Sequence, residues 1–269
     1  MRGSLARSPL LLVLVGMVLV FVLAPLAVAI AIGFSASPFL VFPPPGFSTR
    51  WIARFLDDPA FVAALWVSLR LAAVVTALGV GVALVTAFGM TALSPRARGA
   101  LTALILAPLL FPVILLALGL LLFFAEIGIL RSPLALVLAH LLIVVPLCVV
   151  TIKAAIEGLN PEMADAAASL GAPPARAFAL VVMPQIGSAI AGAAVLSFLF
   201  SFNDVVFAAF LGGPASETLP LKLFGYVRYR LDPLVGAVSA IFIFTTLALI
   251  VILDRIVGFD RIVGIRRRE

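Results

Sequence analysis

The 269-residue chain is 64% hydrophobic and only 11% charged, with a formal net charge of +6 at pH 7. A soluble domain of this size could not bury so much apolar surface, so the composition predicts that a lipid bilayer is its solvent. The basic residues are scattered at the ends of apolar runs, so the positive charge does not indicate nucleic-acid binding.

Six uncharged runs predict six transmembrane helices and an all-α membrane protein. They cover residues 10–33, 71–95, 99–125, 132–152, 177–203 and 233–253. Crossing about 30 Å of hydrocarbon takes roughly 20 residues of helix, and continuous runs favour helices over alternating barrel strands. The first run is too long for the apolar segment of a signal peptide, so we expect it to be retained. With no internal repeat or linker, residues 1–269 are expected to form a single transmembrane domain.

The distribution of Lys and Arg predicts the orientation. An even number of spans puts both termini on one side of the membrane. Loops and tails on that side carry eleven Lys and Arg residues, against six on the other side. By the positive-inside rule, both termini are expected in the cytoplasm.

Two features stand out in the second and third spans. Asp58 and Pro59 predict the start of a helix that carries Arg70 about three turns in, where its side chain can snorkel to the surface or contact a substrate. Pro108 and Pro112 should kink or locally unwind the third span. The kink is either an ordinary feature of helix packing or irregular backbone that lines a cavity.

Polar residues in the fourth and fifth spans are candidates for the transport pathway. His140, the only histidine, is expected to be a hydrogen-bonded packing residue. Residues 201–204 are expected to interrupt the fifth span. A carboxylate at membrane depth is costly, so Asp204, with Asn203 beside it, is predicted to lie in the substrate pathway. The alternative is that Asp204 caps the outer end of a shorter helix.

A polar stretch, residues 160–184, predicts two short helices joined by a forced turn. Asn160 is a good N-cap, and Glu162 places negative charge at the positive end of the helix dipole. Gly171 can supply the left-handed residue that ends a helix, and Pro174 can start the next one. Because this hairpin is predicted to face the cytoplasm, it is expected to be a docking element.

Several kinds of chemistry lack their usual motifs. No G-x-x-x-x-G-K-[ST] sequence is present, so this chain is not expected to bind a nucleotide in a P-loop of its own. Hydrolase and metalloprotease motifs are missing, and Cys148 is the only cysteine. An intramembrane enzyme, with His140 and a serine meeting in space, is therefore a weak alternative. A stand-alone secondary transporter would have few ion-coupling residues, namely Asp204, Glu126 and His140.

The hairpin resembles the EAA loop, E-A-A-x3-G-x9-I-x-L-P, of permease subunits of binding-protein-dependent ABC importers. Asp165, Ala166 and Ala167 are followed at the same spacing by Gly171 and Pro184. Three positions depart conservatively from the motif, with Asp in place of Glu, Val in place of Ile and Met in place of Leu. The loop, at about residues 157–184, also lies between the fourth and fifth spans, as in that family. The resemblance implies the type I ABC importer permease fold in a bacterial inner membrane, with these five residues coupling the chain to an ATPase.

The resemblance also implies partners and a cargo. A second permease, two ATP-binding subunits that hold ATP and Mg²⁺, and an extracytoplasmic solute-binding protein are expected. The chain itself is then a non-catalytic subunit with no cofactor. Residues 196–214, residues 218–233 and the run into the last span look like the second permease of spermidine/putrescine-type importers, which implies a polyamine or a similar small solute. Those relatives usually have an acidic pair where this chain has Asn203 and Asp204, so one carboxylate remains to pair with an amine.

Overall fold

A computed structural model describes residues 9–160, 162–163, 169 and 171–257. They are mainly helical, and the only β-type pairing among them is an isolated antiparallel bridge between Ser35 and Phe47. The helices are α1 (Pro9–Gly33), α2 (Arg50–Asp57), α3 (Pro59–Thr91), α4 (Pro95–Leu106), α5 (Val113–Glu126), α6 (Pro133–Glu157), α7 (Pro174–Gln185), α8 (Gly187–Asn203), α9 (Val206–Leu211), α10 (Leu219–Val227) and α11 (Leu234–Val257).

Six candidate spans are present in the described part of the chain if each bent helix pair counts as one. Helices α1, α3, α6 and α11 are single apolar helices long enough to cross a membrane. The other two spans are broken, since α4 and α5 meet at 97° and α7 and α8 meet at 76°. The all-α membrane fold predicted from the sequence is confirmed.

The first bend lies at the two prolines of the third span. Pro108 belongs to a 3₁₀ turn, Ala107–Leu110, that extends α4. Phe111 is extended (φ −97°, ψ 144°), and Pro112 (φ −56°, ψ 129°) precedes the first residue of α5. Proline has no N–H for the helical ladder and disfavours helical backbone in the preceding residue, so the span is broken here and not simply kinked.

The second bend lies earlier than the sequence predicted. Helix α8 runs unbroken to Asn203 and ends at Asp204, so the expected interruption at residues 201–204 was wrong for the first three of them. The bend falls instead at Ile186 (φ −94°, ψ 10°), just before α8. Pro184 removes one helical hydrogen bond there, and a π-helical turn over Phe178–Val182 already loosens α7.

Three helix starts follow local sequence signals. Ser94 and Ser132 each precede a proline at the first helical position, of α4 and α6 respectively. Their hydroxyl groups accept backbone N–H groups of the first turn at 3.4 Å and 3.1 Å. Asp58 accepts the N–H of Ala60 at 2.9 Å, which confirms the predicted start of α3. These caps satisfy donors that a helix leaves unpaired at its beginning.

The described residues up to Val62 form one compact unit with Leu223–Leu247. Within this unit the backbones of α1 and α11 are in close contact at Gly33 and Gly236. A Cβ added to Gly33 would lie 2.7 Å from the carbonyl carbon of Gly236, so only glycine permits this approach. In the segment before α11, the Tyr226 hydroxyl donates to the Asp232 carboxylate at 2.7 Å. Burial, and then this hydrogen bond, raise the pKa of Tyr226.

The second compact unit contains Ala63–Lys222 and is built around α6. The buried face of α6 includes Val144, Cys148 and Ile152, and it packs mainly against α8. Helix α3 approaches the same face closely, because a Cβ added to Gly79 would lie 2.5 Å from a methyl group of Val144. That residues 1–269 fold as a single domain stays a prediction.

Candidate functional site

The first arm of the hairpin begins with the predicted cap. The side-chain oxygen of Asn160 accepts the N–H of Glu162 at 3.1 Å, and its amide group donates to the Glu162 carboxylate at 3.3 Å. Asn160 therefore acts as the N-cap that the sequence predicts. Asp165, Ala166 and Ala167 lie outside the described residues.

Gly171 makes the turn between the two arms. Its φ of +80° lies in the left-handed region, which glycine adopts without a steric penalty. A Cβ added there would meet no atom within 4 Å, so it is the backbone conformation alone that favours glycine. Pro173 is extended (φ −64°, ψ 151°) and Pro174 opens α7, so the chain cannot continue the first arm.

The second arm leads directly into the bend at Ile186. Pro184 is exposed in the last turn of α7, and the neighbouring Gln185 side chain donates to the Val181 carbonyl at 2.8 Å. Exposed apolar side chains lie on the same arm, with Leu180 at 66% exposure. The hairpin thus presents apolar surface and connects through one bend to α8.

A cavity of about 580 Å³ lies between α7 and the ends of α3 and α6. Phe88 on α3 and Phe178 on α7 contact each other across it, with ring centroids 4.5 Å apart. Arg98 on α4 closes the end of α3 by donating to the carbonyls of Met90, Thr91 and Leu93 at 3.0–3.3 Å. Sequence reasoning missed this role of Arg98, although a basic residue shortly after a helix is a known signal of a C-terminal cap.

Asp204 meets His140 inside the second unit. The His140 Nε2 and Asp204 Oδ2 atoms are 3.3 Å apart, and their side chains are 0% and 6% exposed. On its other side the His140 ring faces the Ser201 hydroxyl, with Nδ1 and Oγ 3.2 Å apart. The same oxygen of Asp204 accepts the N–H of Ala208, so the carboxylate also caps α9. We call His140, Ser201 and Asp204 the polar cluster.

The polar cluster joins three helices at the end of α8. His140 comes from α6, Ser201 from α8, and Asp204 from the break between α8 and α9. The predicted hydrogen-bonded packing role of His140 is consistent with these contacts. Sequence reasoning did not pair it with Asp204, because the two residues are 64 positions apart and only the packing of α6 on α8 brings them together.

The polar cluster has the same three residue types as a hydrolase triad, but its side chains are buried. The Ser201 residue is 2% exposed and His140 is fully buried. A nucleophile needs room beside it for the carbonyl group that it attacks. The cluster instead provides a buried carboxylate with a partner, as burial of charge requires.

Asn203 faces away from this interior. It is exposed at the last residue of α8, and its side-chain amide donates to the Leu199 carbonyl at 2.8 Å. The amide oxygen is an acceptor that this hydrogen bond does not use. The structure therefore separates the two neighbouring candidates, with Asn203 at the surface of the chain and Asp204 behind it.

Bent spans and a buried carboxylate partnered by histidine are typical of a membrane transport protein. Residues 76–259 match the family model described as "Binding-protein-dependent transport system inner membrane component". The chain belongs to this family. It is a multi-pass inner-membrane permease of the ABC importer type.

Individual relatives match over most of their length. The chain is 30% identical over 243 residues to the putrescine transport system permease protein PotI of Escherichia coli K12, covering 87% of this chain and 86% of PotI. It is 30% identical over 207 residues to the spermidine/putrescine transport system permease protein PotC of Haemophilus influenzae, covering 77% and 80%.

A solved structure shares the fold. It is a bacterial alginate ABC transporter in complex with an alginate pentasaccharide-bound periplasmic protein. The matched chain has a TM-score of 0.68 at 16% identity, over 94% of this chain and 93% of that chain.

Proposed function

We propose that this chain forms half of the solute pathway of an ATP-driven importer for polyamines or a similar small solute. The observation that carries the proposal is the similarity to polyamine permeases along most of the chain. The bent spans and the polar cluster support it, because irregular backbone and a charge at membrane depth belong beside a pathway. A second permease of the same family would supply the other half.

The hairpin is the proposed contact with the motor. Asp165, Ala166, Ala167, Gly171 and Pro184 would lie at or near a groove of an ATP-binding subunit, with the exposed Leu180 side chain adding apolar contact. Two such subunits would bind ATP and Mg²⁺, and this chain would need no cofactor of its own.

Movement of the hairpin would reach the pathway through α8. When ATP closes the motor subunits, α7 would tilt and the bend at Ile186 would transmit the tilt to the helix that ends at Asn203. Coupling of this kind needs an element that can adopt two positions, and a ligand on another subunit that favours one of them. The left-handed turn at Gly171 supports this role, because it sets the angle between the two arms.

The proposed orientation has the hairpin and both termini in the cytoplasm. A soluble solute-binding protein would then dock on the opposite face and deliver the cargo. The complex of the alginate transporter with its periplasmic protein is a precedent for such a partner.

Asn203 and Asp204 are the proposed polar groups of the pathway. Asn203 would offer its free amide oxygen to a protonated amine, and Asp204 would supply negative charge behind it. His140 lies 3.3 Å from the same carboxylate, so a bound cation would compete with it, and the site would bind a cation weakly enough to release it. Weak binding suits a permease that receives its cargo from a binding protein.

Uptake by cells that carry the full set of subunits tests this assignment. Asn203→Leu should raise the KM for labelled putrescine while leaving the amount of folded protein unchanged, because Asn203 is exposed. Asp204→Asn should reduce uptake as well. Wild-type uptake in both variants would remove these residues from the pathway, and failure of affinity purification to recover an ATPase with the chain would contradict the proposed motor.

A further inference from the structure

A second cavity, of about 310 Å³, lies far from the hairpin, beside the opposite ends of α3 and α6. Its walls are mostly aliphatic, with Val74 and Leu136 among them. Two polar residues, Arg70 and Ser216, also line it. None of the functions proposed above uses this cavity.

The position of Arg70 along α3 puts it at the surface of the hydrocarbon layer. From Leu71 to the end of α3 at Thr91 the helix carries no charged residue. At 1.5 Å per residue this stretch is about 31 Å long, close to the roughly 30 Å thickness of the hydrocarbon core. Helix α6 also puts the cavity at the surface of the hydrocarbon layer. Its first residue, Pro133, lines the cavity, and the next charged residue along the helix is Lys153.

Among the residues that the structure describes, none is a counter-ion of Arg70. Its side chain is exposed, and no ion pair or hydrogen bond joins it to a carboxylate in the described parts of the chain. A guanidinium group binds the oxygens of a phosphate through two parallel hydrogen bonds, and its weak hydration suits it to do so at an interface. Charge complementarity therefore calls for an anion at the level of the lipid headgroups.

An apolar stripe continues from Arg70 into the membrane. Val74, Leu78 and Val85 are 45%, 46% and 74% exposed. With 100° of turn per residue, these three residues and Arg70 fall within about 80° of one another around the helix axis. The stripe gives an acyl chain a surface to lie on directly below the cationic group.

We propose that this cavity binds one anionic phospholipid, with its phosphate on Arg70 and an acyl chain against Val74 and Leu78. A phospholipid carries a negative phosphate and an apolar tail in one molecule. When the phosphate lies on Arg70, the tail lies on the apolar stripe below it. A protein partner on this face would have to place a carboxylate at the membrane surface opposite Arg70. The lipid supplies the anion without that requirement.

Native mass spectrometry of the purified full-length chain tests the proposal. The chain is titrated with phosphatidylglycerol, and with phosphatidylcholine as the neutral comparison. We expect one phosphatidylglycerol to bind in preference to phosphatidylcholine. Arg70→Gln should weaken this binding about tenfold, which corresponds to about 1.4 kcal/mol and to the low end of what one charge-assisted hydrogen bond contributes. Arg228→Gln, the same loss of charge at another exposed arginine, should leave that binding unchanged.

Two further variants separate the headgroup from the tail. Arg70→Lys keeps the charge without the forked geometry and should bind with intermediate affinity. Val74→Trp fills the groove while keeping Arg70, and should also weaken binding. Equal binding of both lipids, or equal loss in the Arg70 and Arg228 variants, would overturn the proposal. Wild-type affinity in Val74→Trp would overturn the placement of the acyl chain.

Discussion

The contact between His140 and Asp204 leads to a prediction about stability. The His140 Nε2 and Asp204 Oδ2 atoms lie 3.3 Å apart in a buried site, where a carboxylate without a polar partner is costly. His140→Leu would leave the Asp204 carboxylate buried without this partner, and removing one member of a buried pair costs about 3–5 kcal/mol. Asp204→Asn should cost less, about 1–2 kcal/mol, because a neutral amide still accepts the N–H of Ala208.

The double variant distinguishes this account from simple loss of packing. Once Asp204 is neutral, His140→Leu no longer leaves an unpaired charge, so the double variant should be more stable than His140→Leu alone. The free energy of unfolding is measured in mixed detergent micelles for the wild type, the two single variants and the double variant. A matched control pairs Asp204→Asn with Cys148→Ala, a buried change two turns further along α6, and these two effects should add. Additivity within about 0.5 kcal/mol for the His140 pair as well would refute the reasoning.

Three further predictions concern the hairpin, the end of α3 and the pathway. Gly171→Val should lower solute uptake per ATP hydrolysed, because a β-branched residue at φ +80° is strained. Gly171→Asn should keep most of the coupling, because asparagine tolerates this backbone conformation. Equal coupling in both variants would contradict the role of the turn. Arg98→Gln should speed amide hydrogen exchange at the end of α3, because it removes three hydrogen bonds there. Arg96→Gln, at an exposed position, should leave that exchange unchanged. Identical exchange rates in the two variants would count against the cap. Asn203→Asp should lower the KM for putrescine by adding a carboxylate at the exposed position, and an unchanged KM would argue that this face does not meet the cargo.

The sequence predicted the fold well where local chemistry decides it. The lengths of the apolar runs gave six spans, and Pro108 with Pro112 gave the break in the third. Gly171 and Pro174 gave the turn of the hairpin, because the left-handed φ and the missing N–H group are properties of those residues alone.

The features that sequence reasoning missed depend on packing between distant segments. The polar residues 201–204 predict an interruption of the fifth span there, whereas Pro184 and the π-helical turn place the bend at Ile186. His140 and Asp204 lie on different helices, and only the contact of α6 with α8 makes them partners. A carboxylate within an apolar run indicates that some partner exists, but not which residue provides it.

We propose that this permease is powered by ATP bound to other subunits. Uptake of labelled putrescine into proteoliposomes tests it most directly, with the chain reconstituted together with its second permease, the two ATP-binding subunits and the solute-binding protein. The account predicts uptake that requires enclosed ATP and continues when ionophores collapse the proton and sodium gradients. Uptake by the chain alone, driven by an ion gradient without ATP, would contradict it.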